Sequence, residues 1–243
     1  MDLAHGADVS RTKQALVRRI NAFLTRPAGG DQRPAFFDID ATFPALRALD
    51  RQQDVIAQEL DALLHERERI PRYHDVSSTE TYISATVNPD KAWRVFMLAT
   101  VDGEVQANAS RCPNTMAALR QVPDLLGAFF SILDPGKSIP AHDGPYTGYL
   151  RYHLALKVPR DNPPSLRVKD QHHTWQLGQS ILFDDSWNHE VTNLSSGTRV
   201  VLIVDVLRPL PLPYRWVNLF LTKALGRYSE EVREIRANLR KYA

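Results

Sequence analysis

Apolar residues recur at two different periods along this chain, and the change from one to the other divides it. Within residues 9–25 (VSRTKQALVRRINAFLT), Ala15, Leu16, Ile20 and Phe23 stand at helical spacing, and the PAGGDQRP stretch that follows reads as a linker. A second helix is predicted from about Phe43 to Arg67, where Leu46, Leu49, Val55, Ile56, Leu60 and Leu63 recur at threes and fours with charges between them. From about Ala92 the texture becomes short apolar or β-branched runs separated by Gly, Pro, Asn and Asp: WRVFMLATV, GAFFSIL, YLRYHLALKV, SLRV, QSILF and TRVVLIVDV. One helix, opened by Pro113 and Asn114 and running through TMAALRQVPDLLG, interrupts this antiparallel β pattern. The tail from PLPLPYRW onward begins apolar and ends charged, as a surface helix does. These patterns predict a mainly β fold with flanking helices. They divide the chain into an N-terminal helical extension (1–33), a β-rich domain (34–211) and a C-terminal helix (212–243).

Composition narrows the function classes. At 243 residues one sizeable core is expected. Thirty Lys and Arg nearly balance 28 Asp and Glu, so no long-range field gathers nucleic acid, and the basic residues are spread among acids. Cys112 is the lone cysteine, which excludes an internal disulfide or a cysteine-based zinc site and suits a reducing, cytoplasmic setting. At a helix start it reads as a packed small residue rather than a nucleophile. No signal peptide or spanning segment is evident, and a soluble or at most peripheral protein is expected.

Two of the eight histidines have a shared context. His142 lies in SILDPGKSIPAHDGP and His189 in FDDSWNHEV, each after a strand. On a jelly roll such strand ends meet at one mouth, where imidazole nitrogens suit iron, zinc or copper; the same residues also serve as turn caps or polar core positions. About ten residues beyond His189, Arg199 in TRVVLIVDV can point a planar guanidinium into the same cavity and clamp a small dicarboxylate. Arg151 and His153 alternate on one strand face. Arg151 is equally suited to a buried salt bridge with Asp184, Asp185 or Asp205. His172 and His173 are assigned to a solvent-facing turn without a role.

From Phe36 to Pro211 the chain resembles the aspartyl/asparaginyl β-hydroxylase family, which includes bacterial lipid A acyl-chain hydroxylases. The resemblance is carried by SILDPGKSIPAHDGP, YLRYHLALKVP, the W-x-x-G of TWQLGQSILFDDSWNHEV, and TRVVLIVDVLRP. It implies a double-stranded β-helix (jelly roll, cupin-like) and dependence on iron(II), 2-oxoglutarate and O2. By the same resemblance the product would be a hydroxylated substrate, with succinate and CO2 as coproducts. His142 and His189 would be the iron ligands; Ser131, Arg151, His153 and Arg199 would line the 2-oxoglutarate pocket, with Arg199 as main carboxylate clamp.

Two departures bear on chemistry and substrate. Gly144 stands where the usual triad aspartate would be, as in the aspartyl hydroxylases, and Asp143, on the opposite face of an extended chain, is poorly placed to replace it. Water or a substrate group would complete the coordination. An open position is also what iron halogenases use, although the whole-chain match is to hydroxylases. Tyr149 replaces an arginine that grips the substrate carboxylate in the aspartyl hydroxylases, and a phenol cannot make that bidentate pair. The substrate is therefore open: an aspartyl residue, a small amino-acid-derived metabolite or a lipid acyl chain. A non-catalytic jelly-roll binding module is the alternative from another class. Asp184 and Asp185 are candidates to orient an imidazole, or plain strand-end turn residues. In the C-terminal stretch, Trp216, Val217, Leu219, Phe220, Leu221 and Leu225 near Arg215, Lys223 and Arg227 suit either peripheral membrane contact or packing on the sheet or in a homodimer.

Overall fold

The computed structural model describes residues 15–242. Its strands are β1 (Phe36–Phe37), β2 (Trp93–Thr100), β3 (Gly103–Glu104), β4 (Leu125–Leu133), β5 (Ile139–His142), β6 (Tyr149–Lys157), β7 (Ser165–Val168), β8 (Gln171–Thr174), β9 (Ser180–Phe183), β10 (His189–Thr192) and β11 (Arg199–Leu207). They form a seven-stranded sheet, β1-β9-β6-β11-β4-β2-β3, and a four-stranded sheet, β5-β10-β7-β8, in which every pairing is antiparallel. The six runs read as strands from sequence correspond to β2, β4, β6, β7, β9 and β11. The expectation of a mainly β chain is corrected to a mixed fold. Helical segments hold more of the described residues than strands do, and the two sheets do not close into a barrel.

The two-residue period of the long strands sets the layers. Leu150, Tyr152, Leu154 and Leu156 of β6 and Val200, Leu202, Val204 and Val206 of β11 pack on one side with Leu46, Leu49, Ile56, Leu60 and Leu63 of the helices. Val201 and Ile203 of β11, with Trp93, Val95 and Met97 of β2, face Ile139, Leu166, Val168 and Val191 of the smaller sheet. Both faces of the large sheet are covered, so its central strands read as near-continuous apolar runs.

Several predicted helices differ. The expected helix over 43–67 is divided into Pro44–Leu46, Arg47–Arg51 and Gln53–Leu64, with Pro44 at the first turn. The one after Pro113 stops at Leu119, and Leu125 and Leu126 enter β4 because burial in the sheet overrides their helical spacing. Helix 15–25 is docked rather than appended. Leu24 is fully buried, and Asn21 exchanges hydrogen bonds with Pro145 O and Thr147 N. The linker after it carries Arg33, whose side chain pairs with buried Asp184 (2.8 Å). The tail is two helices. Tyr214–Leu219 runs on through a π-helical stretch to Leu225, and Ser229 caps a new helix, Glu230–Leu239, by accepting from Val232 N. His172 and His173 lie in β8, not in a turn.

Candidate active site

His142 closes β5 and His189 opens β10, and the two are direct partners in the antiparallel register. Their ring centroids are 4.1 Å apart. Each Nδ1 lies 2.8 Å from the carbonyl two residues back, Pro140 O and Trp187 O. A carbonyl only accepts, so each Nδ1 carries the proton and each Nε2 keeps its lone pair. That donor set fits a divalent transition metal, with the carbonyls fixing tautomer and ring orientation. The Trp187 backbone is steadied through its ring, which lies between Arg33 (3.6 Å) and Lys169 (4.3 Å). Burial and then the neighbouring His189 push His142 down to about 4, so its imidazole stays neutral.

Arg199 forms the second feature. Its guanidinium is almost fully buried, and among the described residues it pairs with no carboxylate. It rests 4.0 Å over Trp175, reaches Ser131 Oγ at 3.4 Å, and leaves Nε without a partner. Ser131 Oγ accepts from Trp93 Nε1 at 2.9 Å. Burial pushes Arg199 down to about 9, which still leaves it a cation at neutral pH. His153, stacked on Trp175, is buried with neither ring nitrogen partnered, and burial and then Arg199 hold it well below the ordinary histidine value. A buried unpaired cation is costly unless an anion satisfies it, and this wall has the donors for one.

Arg151 is differently placed. It makes two of the three ion pairs that the sequence offered as the alternative to a cosubstrate role: Nη1 to Asp185 Oδ1 (2.7 Å), and Nε and Nη2 to the two oxygens of Asp205 (2.8 and 3.0 Å). Asp185 also accepts from Tyr149 OH and lies 3.4 Å from His189 Nε2. Burial works against its ionised form, but Arg151 and then His189 hold its carboxyl below the ordinary value. Of the two aspartates singled out, only Asp185 reaches an imidazole. Asp184 is locked between Arg33 and Arg208 (2.6 Å) and takes hydrogen bonds from Ser186.

The position two residues after His142 has no room for a side chain. A Cβ on Gly144 would overlap the Asp185 backbone oxygen and carboxylate, and Gly144 N donates to Asp185 O at 3.1 Å. Asp143 is exposed and accepts from Asn188 Nδ2 at 2.9 Å, away from the imidazoles. Among the described residues, no group of three or more His, Cys, Asp and Glu is placed to hold a metal ion, so the donors offered are the two histidines alone.

A cavity of about 580 Å³ opens beside these groups. His142, His189, Arg199, Ser131, His153 and Arg151 all line it, together with apolar Met97, Phe129, Leu166, Val191 and Ile203. The sequence reading missed Trp93, and it left Trp175 inside a motif without a role. It also missed the outer wall from Tyr73, Glu80, Ile83, Glu231 and Ile235. Trp175 was recoverable as the tryptophan of the W-x-x-G segment. Residues 73–83 carry only short helical turns and no periodic signal.

Residues 50–209 match the family model described as aspartyl/asparaginyl beta-hydroxylase. An ornithine lipid ester-linked acyl 2-hydroxylase from Rhizobium tropici is 40% identical over 186 residues, 76% of this chain and 64% of that protein. The human aspartyl/asparaginyl beta-hydroxylase is 34% identical over 123 residues, 48% of this chain and 16% of that protein. The human aspartate beta-hydroxylase domain-containing protein 2 is 30% identical over 185 residues, 72% and 47% respectively. This chain thus spans less than two thirds of the length of each. Among solved structures, a cupin-family protein with a double-stranded β-helix from Methanocaldococcus jannaschii matches 35% of this chain and 73% of its own, at 16% identity and a TM-score of 0.28. The chain belongs to the aspartyl/asparaginyl β-hydroxylase family.

Proposed function

We propose that this member of the aspartyl/asparaginyl β-hydroxylase family is an iron(II)- and 2-oxoglutarate-dependent oxygenase that hydroxylates a C–H bond on the acyl chain of a lipid. The observation that carries the chemistry is Arg199, a buried guanidinium that pairs with no acid among the described residues, lining the same cavity as two imidazoles whose Nε2 atoms keep their lone pairs. The reading takes the two facing sheets as the walls of a double-stranded β-helix.

In this reading His142 and His189 hold the metal through Nε2. When bound, iron(II) with 2-oxoglutarate and O2 supplies the oxidising chemistry for an unactivated C–H bond and yields succinate and CO2. Arg199 takes the distal carboxylate of 2-oxoglutarate, with Ser131 Oγ beside it and Trp175 fixing the guanidinium plane. His153 offers its unpartnered nitrogens to the same ligand. Arg151 and Tyr149 fix the Asp185 carboxylate beside His189 by donating to it, which makes Arg151 a positioning residue. The apolar walls keep water from the reacting end and orient a chain.

For the substrate, the apolar lining suits a hydrocarbon chain, and the Rhizobium tropici relative carries an acyl hydroxylase name. An aspartyl side chain would need a cation of its own. Arg151 is committed to two aspartates, and the Tyr149 hydroxyl is given to Asp185.

The test is anaerobic addition of iron(II) and 2-oxoglutarate to the purified protein. A weak visible metal-to-ligand charge-transfer band is expected in the wild type and absent in His189→Ala and Arg199→Ala. No band in folded wild type would overturn the oxygenase reading in favour of a binding module. Succinate release in the presence of acyl lipids, and not of aspartyl peptides, then tests the substrate class.

A further inference from the structure

Helix 15–25 and the segment after Tyr214 meet beside one loop. The Phe23 and Tyr214 rings are 5.1 Å apart. Asn21 donates to Pro145 O (2.9 Å) and accepts from Thr147 N (3.1 Å). From the other side, Asn218 donates to Gly148 O (2.7 Å) and accepts from Tyr146 OH (2.6 Å). That loop reaches the cavity through Pro145 and Tyr146, and the C-terminal segment reaches it through Thr222 and Gly226. Exposed Pro145 lies where the cavity meets the surface.

The outward side of the two helices is apolar. Trp216 (59% exposed) and Phe220 (61%) stand one turn apart, opposite the inward pair Asn218 and Thr222, with exposed Leu212, Phe23 and Leu16 alongside. The charges that these two segments contribute have one sign. Residues 15–30 and 206–228 contain no aspartate or glutamate. Arg18, Arg19 and Arg26 are exposed and have no acidic partner among the described residues, while Arg215 and Lys223 share Asp124 (2.7 and 3.8 Å).

We propose that this face docks on an anionic lipid surface and sets the cavity beside it. Exposed tryptophan, phenylalanine and leucine among arginine and lysine is the composition of an interfacial element, and the excess of cations that remains after Asp124 is shared by Arg215 and Lys223 is complementary to a negative surface. A second copy is a poorer occupant, because a two-fold contact would set these cations against their own equivalents. The choice of a membrane rests on the acyl-lipid reading. A chain must leave the bilayer to be oxidised, and a cavity rim next to the docked helices shortens that path.

The experiment is co-sedimentation of the full chain with phosphatidylcholine vesicles, with and without phosphatidylglycerol, beside the anaerobic charge-transfer band. Binding is expected only with the anionic lipid and falls as salt rises. Trp216→Ser combined with Phe220→Ser should abolish it. Arg18→Gln and Arg19→Gln should each weaken it about fivefold, the factor that about 1 kcal/mol per basic residue near such a surface represents, while Arg18→Lys keeps it. All these variants should retain the band. Equal binding to both vesicle types, or binding indifferent to the substitutions, would overturn the proposal. So would failure to bind vesicles together with a light-scattering dimer that Trp216→Ser and Phe220→Ser dissolve. Vesicle binding without any band would leave the docking face standing and remove the oxygenase reading instead.

Discussion

His142 and His189 face each other as partners on adjacent antiparallel strands, 4.1 Å between ring centroids, each with Nδ1 committed to the carbonyl two residues before it. The two backbones thus orient two imidazoles in the same way without help from a third ligating residue. The consequences reach the neighbouring glycine, the arginine wall and the aspartate pair.

Restoring a triad carboxylate should fail. A Cβ on Gly144 overlaps the Asp185 backbone and carboxylate, so Gly144→Asp is expected to destabilise by about 1–3 kcal/mol, as overpacking does. Thermal unfolding should show the loss, and iron(II) titration should show weaker binding rather than the tighter binding an added ligand would give.

Arg199 sets function against stability. With its charge buried and unpaired, Arg199→Met should raise the melting temperature of the ligand-free protein by about 3 °C, the scale of roughly 1 kcal/mol in a chain of this size. The same variant should lose 2-oxoglutarate affinity by about a hundredfold or more, measured by titration calorimetry. A variant that melts earlier and binds equally well would show that another group neutralises the guanidinium.

Asp184 joins the N-terminal segment to the sheet through Arg33 and closes on Arg208. Asp184→Asn leaves two buried cations without their anion and is expected to cost about 3–5 kcal/mol. A fall in melting temperature of roughly 10 °C should accompany it, with faster proteolysis between residues 15 and 33. The absence of proteolytic change would show that helix 15–25 is held without this pair.

Glu80 is half-buried in the outer cavity wall, and burial and then Glu231 push its carboxyl up to about 7 from 4.5. The folded protein therefore holds that proton more tightly than the unfolded chain, and stability falls as pH rises between these two values. Glu80→Gln should gain on the wild type at about pH 8 and not at about pH 5. Melting temperatures across that range test it, and an unchanged difference would place the raised value elsewhere.

Much of this architecture was legible in local pattern. The alternation in YLRYHLALKV put Arg151 and His153 on one face, TRVVLIVDV offered Arg199 to the same cavity, and all three line it. Arg151 was legible only as a choice between a ligand and an ion pair, because its partners come from β11 and from the turn after β9. Helix boundaries shifted where burial overrode spacing, as at Leu125 and Leu126. The helical turns at 73–83, which supply Tyr73, Glu80 and Ile83 to the cavity, left no periodicity to read.

By itself the sequence determined which side chains share a strand face, the family, and the absence of a carboxylate at position 144. Strand period and residue type are properties of neighbours along the chain, and they survive without knowledge of the fold. Tertiary structure decided that β5 pairs with β10 in the register that opposes His142 to His189. It also decided that Asp185 fills the space beside Gly144, and that two terminal helices meet at Pro145 and Asn218. Register and docking depend on contacts between residues far apart in the chain, and no window of sequence contains both partners.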